Sequence, residues 1–192
     1  MLTIALPKGR IAEETLDKFE KAFGEKFIFE DRKLILEKAG FRFLNVRNQD
    51  VPTYVMHGAA DLGVVGLDVL EEKEYDLIKL LDLKLGRCKV AFGLRAGEQL
   101  NFNKSKITIA TKHEVIAKKY FEQKAMAVEI IKLYGSIELA PLVGLCDCIV
   151  DIVETGETMK QNGLEIGPTI MESSAHLIAN KNSFYAKKDL IL

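Results

Sequence analysis

The segment of the sequence that most suggests chemistry is a candidate phosphate-binding turn. Residues 147–158 read DCIVDIVETGET, a pattern that predicts a buried strand, a Thr-Gly-x-Thr turn and the start of a helix. Gly156 lets the backbone approach a ligand closely, and the amides at a helix start attract anions. Thr155 and Thr158 add hydroxyl donors. These residue types in this order favour a site for a phosphate ester.

Three acidic side chains, Asp151, Glu154 and Glu157, lie in or beside this turn. Carboxylates repel a bare phosphate, but they accept hydrogen bonds from sugar hydroxyls and bind Mg²⁺. We therefore interpret the segment as a site for a sugar phosphate of the ribose 5-phosphate type, with Glu157 pointing outward. The alternative is an ordinary strand–turn–helix whose threonines only cap the helix.

Basic side chains follow the first predicted strand, residues 2–6. Lys8 and Arg10 lie between this strand and a helix whose apolar residues share one face. Arginine binds phosphate oxygens through two parallel hydrogen bonds, whereas lysine acts as a point charge. Arg32 lies in a second polar segment, residues 30–33. Each of these cations is a candidate ligand for phosphate, and a solvated surface residue is the alternative.

Residues 47–55 (RNQDVPTYV) follow a predicted strand and begin a helix, with Asp50 as the expected N-cap and Pro52 in the first turn. Capping alone explains this segment, and contact between the helix start and a ligand is the functional interpretation. Residues 58–70 predict a strand with glycines at both ends, which fits close ligand approach and simple packing equally well. The histidines are scattered, so no Ser-His-Asp triad is supported.

Composition limits the class of protein. The 192 residues carry 27 basic and 28 acidic side chains, for a net charge of -1, which argues against nucleic-acid binding. The three cysteines have no regular spacing and are expected to be buried, reduced thiols. We find no signal peptide and no apolar run of about 20 residues, so we expect a cytoplasmic protein with no membrane segment.

Short apolar runs alternate with helical patterns along the whole chain, which predicts an α/β protein with mostly parallel sheets. Ligands of such folds bind beyond the carboxyl ends of strands or between lobes. Thr111 and Glu114 have the spacing of a capping box, and Ser136 is expected to cap another helix. Gly163 is expected to end a short helix in the left-handed conformation.

The chain resembles the catalytic subunit of the ATP phosphoribosyltransferase family, in its short form. The matching segments, in order, are IALPKGRI, EDRKLI, RNQDVPTYV, GAADLGVVGLDVL, IATKHEVIAKKYF, KLYGSIELAPLVGL and DCIVDIVETGETMKQNGL. The resemblance implies a two-lobed fold like the type II periplasmic binding proteins, with the active site in the cleft between lobes. Residues 1–93 and 175–192 would form one lobe, and residues 94–174 the other.

The resemblance also implies a reaction. The N1 atom of the adenine of ATP attacks the anomeric carbon of phosphoribosyl pyrophosphate, and pyrophosphate leaves with the help of Mg²⁺. Asp151 and residues 154–158 would bind the ribose 5-phosphate part, with Glu157 contributing its backbone. Arg10, Arg32 and Lys8 would act on the pyrophosphate, with Arg32 reaching a neighbouring subunit's site. The residues expected to shape the ATP site or the cleft are Gln49, Asp50, Val51, Tyr54, Asp68 and Ser136.

Partners also follow from the resemblance. The long form of the family has an extra C-terminal domain that binds histidine, and we expect this chain to lack one, as in the short form. The short form implies a homodimeric core and a hetero-oligomer with a regulatory subunit similar to histidyl-tRNA synthetase. Two alternatives remain at this point. One is a solute-binding protein of the same fold, and the other is a phosphoribosyltransferase with a different acceptor.

Overall fold

The computed structural model describes residues 1–191, which fold as two compact units. Unit 1 contains Met1–Gly86 and the segment from Ser174 onward, and unit 2 contains Arg87–Ser173. The division falls before the predicted boundary at residue 93. The reason is that the strand Cys88–Arg95 pairs along its length with two strands of unit 2.

The strands in chain order are β1 (Leu2–Pro7), β2 (Ile35–Lys38), β3 (Phe41–Val46), β4 (Leu62–Gly66), β5 (Ile78–Asp82), β6 (Cys88–Arg95), β7 (Ile107–Thr111), β8 (Val128–Lys132), β9 (Cys148–Val153), β10 (Leu164–Ser173) and β11 (Ala175–Ala179). The helices are α1 (Arg10–Phe23), α2 (Val51–Met56), α3 (Leu67–Glu72), α4 (Glu114–Glu122), α5 (Leu139–Leu142), α6 (Glu157–Gln161), α7 (Lys181–Ala186) and α8 (Lys188–Ile191). None of the helices within residues 1–191 is long and apolar enough to cross a bilayer.

The sheet of unit 1 has the strand order β2-β3-β1-β4-β11-β5. Strands β3, β1 and β4 are parallel, and the other pairings are antiparallel. The edge strand β2 is joined to β3 by a two-residue turn at Ala39 and Gly40, both with positive φ. Such a tight turn makes β2 run antiparallel to β3. The parallel centre brings the carboxyl ends of β1, β3 and β4 to one side of the sheet.

Two apolar clusters hold the unit 1 sheet. On one face α1 packs through Phe19, whose ring lies edge-on to Phe43 with centroids 5.1 Å apart. On the other face α2 and α3 contribute Val51, Val55 and Val69 to a separate buried cluster. Helix α1 is bounded by two glycines, since Gly9 (φ 100) and Gly24 (φ 70) both adopt conformations that other residues rarely reach.

The sheet of unit 2 has the order β10-β6-β9-β7-β8. Strands β8, β7 and β9 are parallel, whereas β6 and β10 are antiparallel to their neighbours. The prediction of mostly parallel sheets is therefore wrong, because each sheet has a parallel centre extended by antiparallel strands. The core beneath this sheet includes Phe92 and Phe121, whose rings meet edge to face at 5.7 Å.

The predicted capping box at the start of α4 is also wrong. The hydroxyl of Thr111 donates to the carbonyl of Val150 (2.6 Å) and accepts from the backbone N–H of His113 (2.8 Å). Glu114 is the first residue of the helix and pairs with Lys132. Thr111 is thus used to join β7 to β9, and this tertiary hydrogen bond overrides the local pattern.

An ion pair with a buried carboxylate fixes the C-terminal segment to the first part of unit 1. Asp61 is 6% exposed and accepts hydrogen bonds from the backbone N–H of Thr3 (2.9 Å) and from Lys187 Nζ (2.8 Å to each carboxylate oxygen). Burial alone would raise the pKa of Asp61, but the hydrogen bonds from Lys187 and Thr3 outweigh it and lower the pKa below its ordinary value. The native state therefore holds Asp61 ionised.

We expect Asp61→Asn to lower the free energy of unfolding by about 2 kcal/mol, because hydrogen bonds to a charged acceptor become weaker neutral ones. Because the pKa of Asp61 is lower in the folded state, its ionisation stabilises the fold at pH values above the unfolded-state pKa of about 3.9. This stability is lost as the pH falls through the folded-state pKa. The difference between wild type and variant should thus be complete at pH 6 and shrink below about pH 4. Urea unfolding across this range measures it.

The matched control is Asp76→Asn, since Asp76 pairs with Lys181 while its side chain stays 78% exposed. A solvent-screened pair of this kind should change the unfolding free energy by less than about 0.5 kcal/mol. Equal effects of the two substitutions would show that the pair with the buried carboxylate has no special weight.

Candidate functional site

The predicted cations of unit 1 lie directly beyond the carboxyl end of β1. The backbone N–H of Lys8 donates to the carbonyl of Val46 (2.8 Å), which holds the end of β1 against the end of β3. Arg10 is the first residue of α1, and its Nε lies 3.4 Å from Glu14 Oε1. The side chain of Arg10 is 56% exposed. Both cations are accessible to an anionic ligand on this side of the sheet.

Arg32 lies on the same side of the sheet, although it comes from a different part of the chain. Because β2 runs antiparallel to β3, the start of β2 lies beside the end of β3, where the Asn45 N–H donates to the Leu34 carbonyl (2.8 Å). Arg32 just precedes this point, is exposed, and has a φ of 54°. Such a conformation is uncommon for a residue other than glycine.

Further predicted residues follow β3 and β4. Gln49 and Asp50 are exposed in a single 3₁₀ turn, and Asp50 precedes α2 without a side-chain capping bond, so its predicted capping role is not formed. Asp68 lies on α3 and is only 4% exposed. Its Oδ1 would be 2.3 Å from a Cβ placed on Gly66, so glycine is required for the carboxylate to pack there.

Helix α2 carries the remaining candidates of unit 1, Val51 and Tyr54. The side chain of Val51 is fully buried, and its N–H donates to the Arg47 carbonyl (3.3 Å). The side chain of Val51 therefore packs in the core and does not face a ligand. Tyr54 is 40% exposed and is accessible to one.

A pocket of about 360 Å³ also lies in unit 1, along α1 beside Phe27 and Phe29. Its charged rim has three acidic side chains, those of Glu13, Asp17 and Glu20, against one basic side chain, that of Lys26. Apart from Gly9, the pocket is not lined by the residues of the turn after β1, which carries Lys8 and Arg10. The net acidic rim also disfavours a phosphorylated ligand. We therefore place the chemistry of unit 1 at the carboxyl ends of the strands.

In unit 2 the predicted phosphate-binding turn lines a pocket of about 350 Å³. The lining residues are Lys112, Glu138, Asp151, Ile152, Val153, Glu154, Thr155, Gly156, Thr158 and Met159. The side chains of Thr155 and Thr158 are exposed, and Thr155 Oγ1 accepts a long hydrogen bond from the Glu157 N–H (3.4 Å). The predicted residues thus converge, with Glu157 exposed at the start of α6.

Gly156 is the residue on which this turn depends. Its φ of 84° is left-handed, and a Cβ at this position would lie 2.4 Å from Ile166 Cδ1. The Ile166 side chain of β10 therefore closes the turn on its inner side. A side chain at residue 156 would be strained in this backbone conformation and would require Ile166 to shift.

Asp151 is surrounded by polar groups at the end of β9. Its Oδ1 accepts from the Ile152 N–H (2.8 Å) and lies 3.2 Å from Lys112 Nζ and 3.8 Å from His113 Nε2. Lys112 was not among the predicted site residues, and His113 is one of the scattered histidines that suggested no catalytic triad. The role of Lys112 is visible only in the fold and not in the sequence pattern, because β7 pairs in parallel with β9 and places Lys112 beside Asp151.

Ser136 is exposed, has a φ of 49° and lies in the connection between β8 and α5. Its carbonyl accepts from the Leu139 N–H (3.2 Å), but Glu138 occupies the N-cap of α5. The expected side-chain cap by Ser136 is wrong. The connection nevertheless lies at the same end of the unit 2 sheet as the pocket, and Glu138 lines that pocket.

The described residues offer little for metal or thiol chemistry. Within residues 1–191 no group of three or more His, Cys, Asp or Glu side chains is close enough to hold a metal ion. Burial raises the pKa of the Cys146 and Cys148 thiols. Thiols that stay protonated are weak nucleophiles, as expected for buried structural cysteines.

The arrangement of the strands and helices first indicates the fold class to which the chain belongs. A solved protein from Bacillus subtilis, named as the probable amino-acid ABC transporter extracellular-binding protein ytmK, superimposes with a TM-score of 0.61 at 11% identity, covering 99% of this chain and 91% of that one. At this identity the likeness shows the fold alone. The chain therefore has the two-lobed α/β fold of the type II periplasmic binding proteins.

Closer comparisons give the family. A family model described as ATP phosphoribosyltransferase matches residues 47–192. An ATP phosphoribosyltransferase of Wolinella succinogenes is 70% identical over all 192 residues and 93% of its own length. The solved ATP phosphoribosyl transferase (HisG:HisZ) complex from Thermotoga maritima matches with 38% identity and a TM-score of 0.84, covering 100% of this chain and 93% of that chain. The chain belongs to the ATP phosphoribosyltransferase family, as the sequence resemblance indicated.

Proposed function

We propose that the chain is the catalytic subunit of a short-form ATP phosphoribosyltransferase. It transfers the phosphoribosyl group of phosphoribosyl pyrophosphate to N1 of the adenine of ATP, in the first step of histidine biosynthesis. The observation that carries this proposal is the pocket of about 350 Å³ formed by the Glu154–Thr158 turn. It combines hydroxyl donors, a close backbone approach and carboxylates, which a phosphorylated sugar needs together.

In unit 2, the turn at residues 154–158 binds the 5-phosphate. Thr155 and Thr158 donate their hydroxyl hydrogens, and the left-handed Gly156 opens the backbone to the ligand. Asp151 and Glu154 accept hydrogen bonds from the ribose hydroxyls. The same carboxylates favour the positive charge that develops on the sugar ring in the transition state, because opposite charges attract at short range.

In unit 1, Arg10 and Lys8 act on the leaving group. As the bond between the anomeric carbon and the pyrophosphate oxygen breaks, its electron pair moves onto pyrophosphate. Cations held at that position stabilise the transition state more than the ground state. The lone pair of N1 of the adenine then forms the new carbon–nitrogen bond. Arg32 supplies a further cation to the site of the neighbouring subunit.

Gln49, Asp50, Tyr54 and Asp68 shape the ATP-binding side of this reaction. Mg²⁺ enters as part of the substrate, bound to the pyrophosphate of phosphoribosyl pyrophosphate. The oxygen donors that Asp151 and Glu154 present in the pocket are the kind of ligand Mg²⁺ prefers, directly or through water.

Removing a hydroxyl from the turn should chiefly weaken phosphoribosyl pyrophosphate binding. We expect Thr155→Ala or Thr158→Ala to raise the Kd for this substrate roughly tenfold, as for loss of one hydrogen bond to a charged group. The Kd for ATP should stay the same. Isothermal titration calorimetry with each substrate measures both values. A Thr169→Ala control removes a hydroxyl from β10 that lies outside the pocket lining. Unaltered affinity in both pocket variants would remove the phosphate-binding role of the turn.

We also propose that the chain forms a homodimeric core and a larger hetero-oligomer with a regulatory subunit similar to histidyl-tRNA synthetase, and that it works in the cytoplasm. Support for the hetero-oligomer comes from the Thermotoga maritima relative, which was solved as a HisG:HisZ complex. Co-purification of the two subunits and size-exclusion chromatography with light scattering would test the assembly.

The identity of the acceptor separates this proposal from other phosphoribosyltransferases. The purified chain, given phosphoribosyl pyrophosphate and Mg²⁺, should turn over ATP and leave free adenine and other free bases unchanged. Chromatography of the nucleotide products measures the difference. Turnover of a free base in place of ATP would assign the protein to another phosphoribosyltransferase activity.

A further inference from the structure

The pocket of unit 2 presents an unbalanced set of charges to a phosphate. Three carboxylates line it, those of Glu138, Asp151 and Glu154, and Lys112 is the one basic residue lining it within residues 1–191. A phosphate monoester carries a charge near -2 at neutral pH. Hydroxyls and amides alone leave such a ligand facing net negative charge, so the ligand requires a cation in this pocket.

The fold positions Lys112 for this purpose. It directly follows β7, and the register of β7 with β9 pairs Thr111 with Val150, so the next residues along are Lys112 and Asp151. The Thr111 hydroxyl binds both Val150 and His113, which fixes the backbone on either side of Lys112. The side chain of Lys112 is 33% exposed, and that of Asp151 is 14% exposed.

We propose that Lys112 binds the 5-phosphate of the phosphoribosyl substrate, and that its ion pair with Asp151 holds the ammonium group in the pocket. The inference rests on the proposed function. Lys112 Nζ lies 3.2 Å from Asp151 Oδ1. An ammonium group has three donors, so it can keep this contact and donate to a phosphate oxygen as well. Asp151 thereby serves both the sugar and the lysine that binds the phosphate.

Measurement of affinity with ribose 5-phosphate, phosphoribosyl pyrophosphate and ATP tests the inference. In Lys112→Gln we expect the Kd for ribose 5-phosphate and for phosphoribosyl pyrophosphate to rise by roughly 10- to 100-fold, because a charge-assisted hydrogen bond is lost. The Kd for ATP should change less than about twofold if Lys112 contacts only the phosphoribosyl substrate. Lys112→Arg retains the charge and should recover part of the affinity.

The control is Lys118→Gln. Lys118 lies on α4 of the same unit, is 66% exposed, and is 4.0 Å from Glu122. The Lys118→Gln substitution removes the same charge outside the pocket and should leave all three affinities unchanged. A general effect of net charge would instead weaken binding equally in both glutamine variants. Thermal unfolding of each variant with circular dichroism detection separates loss of binding from loss of folding.

The outcomes are distinct. If the wild-type chain binds neither ribose 5-phosphate nor phosphoribosyl pyrophosphate, the proposed function itself fails. If the wild type binds them and folded Lys112→Gln binds them equally well, Lys112 is not a phosphate ligand, although the proposed function stands. A lower Tm with unchanged affinities would likewise overturn the inference, because it would show that the ion pair with Asp151 is only structural.

Discussion

Replacing Arg10 by alanine is expected to lower kcat by roughly 10²- to 10³-fold while the Kd for ATP stays nearly constant, as for loss of one preorganised group at a developing negative charge. Arg10 begins α1 beyond the carboxyl end of β1, and its exposed guanidinium has Nε 3.4 Å from Glu14 Oε1. Steady-state kinetics and calorimetry on the same preparation separate turnover from binding.

The matched control for this substitution is Arg42→Ala. Arg42 lies near the start of β3, at the opposite end of the sheet, and pairs with Glu37 on the surface (2.6 Å). Its removal should leave kcat unchanged. Equal kcat values for wild type and Arg10→Ala would contradict the leaving-group role of Arg10.

Arg32→Ala should reduce kcat in the same way, and a mixture of the two variants tests whether Arg32 acts in the neighbouring subunit. In a mixed dimer one site lacks both arginines and the other has both. With random assortment in a symmetric dimer, the mixture should recover roughly a quarter of wild-type activity. A mixture no more active than the separate variants would place both arginines in the site of their own subunit.

Gly156→Ala is expected to abolish measurable binding of phosphoribosyl pyrophosphate, with at least a 100-fold rise in Kd. The new Cβ would lie 2.4 Å from Ile166 Cδ1, and residue 156 has a φ of 84°. Alanine is strained at this φ, and either the turn or the partly exposed Ile166 side chain must shift. A displacement of the turn by about 1 Å is enough to misalign donors that bind a phosphate. We also expect a loss of about 1–2 kcal/mol in the free energy of unfolding. Calorimetry and urea unfolding measure the two effects.

Gly163→Ala separates backbone strain from damage to the pocket. Gly163 follows the same helix, α6, has a φ of 70°, and would have no heavy atom within 4 Å of an added Cβ. It should lose about 1 kcal/mol of stability and keep its affinity for phosphoribosyl pyrophosphate. Similar affinities for the two alanine variants would show that the conformation of Gly156 is not needed for binding.

Local patterns predicted much of this fold because their causes are local. The apolar run after Met1 predicted β1, and the glycine at residue 163 predicted a left-handed helix end, which its φ of 70° confirms. The Thr-Gly-x-Thr turn was placed correctly at the junction of β9 and α6, because a glycine between a strand and a helix is typical of a turn with positive φ.

Features that depend on distant parts of the chain were not predictable in the same way. Thr111 was assigned to a capping box, but its hydroxyl binds Val150, which is remote in sequence. Lys112 could not be recognised as a pocket residue before the register of β7 and β9 was known. The role of Val51 was also not predictable from local pattern. Its position at a helix start suggests ligand contact, but tertiary packing buries its side chain completely.

The most direct test of the central claim is pyrophosphate release by the purified chain mixed with ATP, phosphoribosyl pyrophosphate and Mg²⁺, with and without the synthetase-like regulatory subunit. We predict release that requires both substrates and that increases when the regulatory subunit is added. The absence of release under both conditions, from protein shown to be folded, would contradict the proposed reaction and would favour a binding protein of the same fold.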